Sequence, residues 1–259
     1  MQASEKESEP QNMKKGKNGR YFERFPGNNK SGKAAILFDL DGTLWDARKN
    51  VAAAWNSVLY KRAGFTVTED DLRPHMGKRL FDIGRALMPD RRAEAVRKIM
   101  RECADMENLY VEKHGGSLFE GVKETMEKLR KDYFLGIVSN CQEGYIGAFL
   151  SYYHMGHVFD DYEEAERTGL CKEDNIRLVM RRNGLSRVLY VGDTALDKKS
   201  AEGAGASFVH AAYGFGRIKE VCPSIEDIRQ VPRLAADLLA GRNAFAGGDG
   251  KVGALCLER

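Results

Sequence analysis

The sequence predicts an α/β fold, a doubly wound parallel sheet with an all-helical domain inserted after its first strand. Three observations carry this. The run Ala34 to Phe38 is apolar without alternation, as in a strand buried on both faces. The stretch 47–117 then turns to amphipathic helical spacing. From Leu118 onward, apolar strand runs alternate with helical patterns of a length that suits strand and helix units of a parallel sheet.

Taken in order, residues 1–33 read as a disordered basic leader, 34–46 together with 118–240 as the core domain, 47–117 as a helical module, and 241–259 as a flexible tail. Val51, Ala54, Trp55, Val58 and Leu59 fall at helical spacing, with Gly64 as the stop. Thr68 and Asp71 form an N-cap pattern. A helix follows through Leu80, Ile83, Gly84 and Leu87 to Pro89. The longest helix carries a stripe of Val96, Ile99, Met100, Cys103, Met106, Leu109 and Tyr110 and stops at Gly115. In the core, Val122, Met126 and Leu129 mark a helix and Phe134 to Val138 a strand. Tyr145, Phe149 and Tyr152 mark an aromatic helix, and Val158 and Phe159 a short strand or turn. Ile176, Val179 and Met180 give another helix, Val188 to Val191 a strand, Ala201 and Ala204 a small-residue helix, and Phe208 to His210 a strand. A last helical pattern holds Ile225, Ile228, Leu234 and Leu238 and is interrupted by Pro232. The tail has five glycines in its nineteen residues.

The 259 residues are enough for one large core plus a smaller domain. The net charge is +3, but the leader holds eight Lys and Arg against four Glu, which leaves the rest of the chain near neutral. That argues against a nucleic-acid surface, which depends on many basic contacts to phosphate. No apolar run approaches the roughly 20 residues of a membrane helix, and the N-terminus lacks the apolar centre of a signal peptide, so a cytoplasmic protein is expected. Five cysteines without C-x-x-C spacing indicate neither a disulfide framework nor a zinc site.

The chemistry is concentrated at strand ends. Asp39 and Asp41, two apart behind the first strand, project to the same side, and Gly42 and Thr43 turn the chain. Paired carboxylates repel, and a hard divalent cation such as Mg2+ keeps both ionised. Ser139 and Asn140 follow a second apolar strand, and Asp193 follows a third. In an open parallel sheet these ends line one crevice. Ser139 offers a hydroxyl, and with Asn140 backbone amides, to a phosphate oxygen. Lys172, before the Ile176 helix, can place a cation beside them, and Asp193 and Asp197 can close the metal site and brace the lysine. His75, Lys78 and Arg79, beside Gly77 in a loop of the helical module, are the candidates for contacting substrate.

The order D-x-D-G-T, Ser-Asn after a strand, Lys, then G-D-T-x-x-D resembles the four motifs of the haloacid dehalogenase superfamily over about residues 34 to 216. Within it the chain is similar to the phosphoglycolate phosphatase-like and beta-phosphoglucomutase-like hydrolases, whose helical cap lies between the first and second motifs. The resemblance implies Asp39 as a nucleophile that forms an aspartyl-phosphate and Asp41 as acid and base. It also implies Mg2+ held by the Asp39 side chain, the Asp41 carbonyl and Asp193, with Ser139 and Lys172 on the phosphoryl oxygens. Dehalogenases of the superfamily lack the second acid, so Asp41 favours phosphate chemistry. The implied activity is hydrolysis of a small phosphorylated metabolite. A phosphomutase and a non-catalytic binding protein on the same fold are the alternatives. Glu173 stands where many relatives have Pro, which keeps Lys198 and Lys199 as substitutes for Lys172. Cys141 and Cys171 flank the motif residues as buried fillers or oxidation-sensitive thiols. The sequence sets no oligomeric state.

Overall fold

The computed structural model describes residues 13–15, 21–23 and 34–239. Within the leader, Met13–Lys15 pairs antiparallel with Tyr21–Glu23. The rest of the leader and the glycine-rich tail lie outside the described residues.

Six parallel strands form the sheet: β1 (Ala35–Phe38), β2 (Phe134–Ser139), β3 (Asp161–Glu164), β4 (Val188–Gly192), β5 (Ser207–Ala211) and β6 (Ser224–Ile225). Their order across the sheet is β6-β5-β4-β1-β2-β3. The chain therefore builds outward from β1 in one direction, then returns to the other side of β1 with β4. That reversal opens a crevice beyond the carboxyl ends of β1 and β4, where open α/β sheets bind ligands.

Alternation along the strands divides the interior into two layers. Ile36, Phe38, Leu135, Ile137, Leu189 and Val191 face one core, while Ala35, Leu37, Phe134, Val138, Val188 and Tyr190 face the other. Helices Lys172–Arg182 and Ala195–Ala204 cover the second face, with Ile176, Val179 and Ala201 fully buried against it. The first face carries Val122–Leu129, Tyr145–Tyr153 and Val231–Leu238, and its core continues into the helical module.

That module leaves and rejoins the core through one narrow neck. Trp45–Asp46 pairs antiparallel with Ser117–Leu118, tying the outgoing chain to the returning one. Arg48–Ala63 ends as expected at Gly64, whose φ of 80° lets its N–H reach the Leu59 carbonyl. Thr68 and Asp71 form a full capping box on the short helix Glu69–Leu72. Leu80–Leu87 and Ala93–His114 complete the cap.

The structure departs from the sequence expectations in three places. Met106 and Leu109 are exposed, and the buried face of Ala93–His114 runs instead through Met100, Cys103, Glu107 and Val111. Tyr152 likewise lies on the surface, while Tyr145 and Phe149 are core. The last helical pattern is a strand (Ser224–Ile225), a 3-10 turn (Ile228–Gln230) and then a helix, with Pro232 in its first turn, where the missing N–H costs nothing.

Candidate active site

Asp39 immediately follows β1, and its backbone N–H donates to the Val191 carbonyl of β4 at 2.9 Å, which pins it at the crevice. The next residues fold tightly: Leu44 N–H donates to the Leu40 carbonyl at 2.8 Å and Gly42 N–H to the Trp45 carbonyl at 2.9 Å. Leu40 turns into the core, and Asp39 and Asp41 both reach the cavity between cap and core. Gly42 has φ of 83°, and a Cβ there would lie 2.4 Å from Asp193 Oδ2. Only glycine permits this approach. Thr43 is buried, and its carbonyl accepts from the Tyr213 hydroxyl at 2.8 Å.

Asp193 follows β4 and is fully buried. Its Oδ2 accepts from the backbone N–H groups of Phe215 (2.8 Å) and Gly216 (3.1 Å), so the turn after β5 holds it from behind. Its Oδ1 is buried without a hydrogen-bond partner, and so is Asp39 Oδ2. Asp39, Asp193 and Asp197 each bring one carboxylate oxygen within 4.8 Å of the others. Burial raises Asp39 to about 6 despite the Lys172 cation beside it, with Asp197 adding to the rise. Burial, then Asp197 and Asp39, raise Asp193 to about 8. Two unsatisfied buried acid oxygens, held close against their mutual repulsion, fit a hard divalent cation.

Lys172 opens helix Lys172–Arg182 and is 3% exposed. Its ammonium donates to Asp39 Oδ1 at 2.7 Å and to Asp197 Oδ1. Burial alone would lower its pKa, but Asp197 and Asp39 outweigh burial and hold it well above the usual lysine range. Lys172 is thus a fixed cation. Asp197 has both oxygens engaged, since Oδ2 accepts from the Thr194 N–H (2.9 Å) and hydroxyl (2.6 Å) in the capping box of Ala195–Ala204. It braces the lysine beside the cation pocket. Lys198 turns away to Glu202 and Glu220 at the surface.

Ser139 closes β2 and lines the cavity with Asn140. Asn140 Nδ2 donates to the Gly77 carbonyl of the cap at 2.8 Å. Arg79 does not line this cavity: from the extended backbone at the start of Leu80–Leu87, its guanidinium crosses the seam to the Leu170 carbonyl. Lys78 lines it instead, from an exposed position, with Nζ 3.3 Å from His75 Nδ1. Burial pushes the Cys141 thiol well above its usual range, which keeps it protonated, while Cys171 is exposed and donates to Asp174 at 3.2 Å.

Two residues of the cavity went unassigned as functional in the sequence. Tyr145 donates its hydroxyl to Asp41 Oδ1 at 3.0 Å from a fully buried ring packed on Trp45. Glu107 lines the cap side, and its buried carboxylate accepts from the Trp55 indole. Glu107 was visible as an acid on the apolar stripe, four positions beyond Cys103. Tyr145 gave no signal apart from an aromatic stripe. Burial, then Asp39 and Glu107, raise the Asp41 carboxyl well above the usual range.

The sheet thus brings carboxylates, a buried lysine and a capped cavity together at its switch point. The haloacid dehalogenase-like hydrolase family model matches residues 36–211, and the chain belongs to that family as an enzyme of its phosphatase type. The chain is 29% identical over 217 residues to phosphoglycolate phosphatase of Pseudomonas syringae pv. tomato, covering 78% of this chain and 80% of that protein. It is 27% identical over 190 residues to pyrophosphatase PpaX of Bacillus velezensis, covering 69% and 83%. A haloacid dehalogenase-like family hydrolase from Streptococcus pneumoniae shares the fold at TM-score 0.67 and 20% identity, covering 78% of this chain and 97% of that one. Among the described residues no helix is long and apolar enough to cross a membrane.

Proposed function

We propose that this enzyme is a magnesium-dependent phosphatase that hydrolyses a small phosphorylated metabolite through an aspartyl-phosphate on Asp39. The observation that carries the reading is the buried pairing of Asp39 with Lys172, beside an Asp193 oxygen left without a partner. Asp39, Asp193 and the Asp41 carbonyl would hold Mg2+, which supplies charge neutralisation at the transferring phosphoryl group.

The Asp39 carboxylate attacks phosphorus in line, and the phosphoester bond to the leaving alcohol breaks. Lys172 keeps Asp39 oriented and places positive charge against the phosphoryl oxygens, while Ser139 and the amides of the Ser139–Asn140 turn donate to them. Asp41, whose carboxyl burial raises well above the usual range, gives its proton to the leaving oxygen. The same group then takes a proton from the water that opens the aspartyl-phosphate, returning Asp39 and releasing phosphate. Tyr145 fixes the Asp41 rotamer for both steps. The cap, latched to the core by Asn140 on the Gly77 carbonyl and Arg79 on the Leu170 carbonyl, excludes bulk water.

The test is phosphate release from a panel of small phosphorylated metabolites, with magnesium and with EDTA, using Asp39→Asn as control. Release that needs magnesium and is abolished in Asp39→Asn is expected. Release undiminished in that variant contradicts the assignment, and isomerisation without net release moves the enzyme to the phosphomutase class.

A further inference from the structure

The phosphatase mechanism leaves one buried group of the cavity unused. Glu107 sits midway along Ala93–His114 at 4% exposure, and its carboxyl lines the cap side of the cavity. It accepts a hydrogen bond from the Trp55 indole, while the Gln142 amide donates to Asn108, and among the described residues no cation pairs with it. Acids are rarely buried without a cationic partner, because an ion loses its hydration there. Packing does not require an acid at this position. A glutamine has the same shape and still accepts from Trp55, and hydrophobic replacements of buried charges are often neutral or stabilising. The acid costs stability, so it needs a reason in the cavity.

Its surroundings narrow that reason. The cap wall beside it is apolar, made by Val51, Trp55, Leu72, Leu80 and Ile83. Lys78 is the cation among the lining residues, and it stands exposed at the cap loop. Beyond the phosphate-binding end, the leaving group thus meets an apolar wall and a buried acid. Resting on the phosphatase reading, we propose that the substrate is the phosphate monoester of an amino alcohol. Its phosphoryl group lies at Asp39, its carbon chain along the apolar wall and its ammonium on Glu107. Water adds across the phosphoester bond, giving inorganic phosphate and the free amino alcohol.

An ammonium there makes a charge-assisted hydrogen bond with the desolvated carboxylate, and its charge favours the ionised acid that burial alone disfavours. A carboxylate-bearing leaving group, as in phosphoglycolate, gains no such pairing, and its negative charge further disfavours the ionised Glu107. The similarity to phosphoglycolate phosphatases therefore extends to the reaction and stops short of the substrate.

The experiment compares kcat/KM, with magnesium, on two-carbon esters of matched size: 2-aminoethyl phosphate, 2-hydroxyethyl phosphate and 2-phosphoglycolate. The aminopropyl and aminobutyl esters extend the reach. The best aminoalkyl ester is expected to exceed phosphoglycolate by about 10- to 100-fold, and Glu107→Gln to shrink that ratio to within about threefold. Glu107→Asp keeps the charge with a shorter reach and moves the optimum to a longer chain, which carries the test if the glutamine variant does not fold. Phosphoglycolate turned over as well as every aminoalkyl ester overturns the proposal. So does an unchanged ratio in Glu107→Gln, or turnover confined to phosphates without an amine. These outcomes leave the phosphatase reading standing. Release from no phosphate ester at all removes that reading, and the substrate with it.

Discussion

Replacing Glu107 by glutamine is expected to stabilise the protein above about pH 4.5, increasingly up to about pH 7. Burial raises the Glu107 carboxyl from 4.5 to about 7, against a smaller opposing contribution from the Trp55 hydrogen bond. The folded chain therefore keeps this proton up to about pH 7, whereas the unfolded chain releases it near 4.5. Between those values the native state binds more protons, so stability falls as pH rises through the window and is level outside it. The full gap corresponds to about 3 kcal/mol at 1.36 kcal/mol for each pH unit. Glutamine does not titrate, so Glu107→Gln avoids that loss. Urea unfolding of both proteins in EDTA, at about pH 5 and about pH 8, reads the difference directly, and groups common to both chains cancel. The variant is expected to gain about 2.5 kcal/mol relative to wild type between the two pH values, since part of the loss has already accrued at pH 5. A difference that is the same at both would refute the reasoning, because it would mean that Glu107 is not carrying an ionisation cost. Gained stability alongside lost amine selectivity is the trade expected of a group retained for binding.

Two further substitutions test the mechanism. Tyr145→Phe removes the 3.0 Å hydrogen bond to Asp41 with little change in packing, and should lower kcat by about 10- to 100-fold with KM unchanged. An unaltered kcat would show that Asp41 needs no positioning from Tyr145. Lys172→Met leaves the Asp39 and Asp197 carboxylates buried without their cation, and should cost roughly 3–5 kcal/mol in urea unfolding along with nearly all turnover. A loss under about 1 kcal/mol would mean that the two acids are not held ionised by the lysine.

The parts of the fold that could be read from sequence are those whose environment is uniform. β1, β2 and β4 are buried on both faces, so their residues are apolar throughout and their polar ends stand out. β3 is equally part of the sheet but reads Asp-Tyr-Glu-Glu. Its charges are absorbed by distant partners. Arg182 donates to Asp161 at 2.6 and 2.8 Å and also to Glu163, and the N–H groups of Gly144 and Ile146 donate to Glu164 at 3.0 and 2.9 Å. No local pattern displays such contacts. β6 has two residues, too few for any period.

The site divides in the same way. Asp39, Asp41, Ser139 and Asp193 sit at or just beyond ends of legible strands, and topology alone brings them together. Lys172 required the start of a helix to be located, and the Asp193 clamp by Phe215 and Gly216 depends on a turn that composition does not mark. Arg79 and Lys78 were indistinguishable in the cap loop, since only the backbone direction entering Leu80–Leu87 decides which one faces the cavity. Glu107 is hidden by a stripe drawn through Met106 and Leu109, yet the 3.6-residue spacing from Met100 and Cys103 falls on it.

The central claim is that Asp39 itself carries the phosphoryl group. Rapid acid quenching of the enzyme during turnover of a radiolabelled phosphate ester, followed by peptide mapping, tests it most directly. The account predicts label on the peptide containing Asp39, released by hydroxylamine as an acyl phosphate and missing from Asp39→Asn. Turnover with no label on the protein at any quench time, or label that persists in Asp39→Asn, would contradict it.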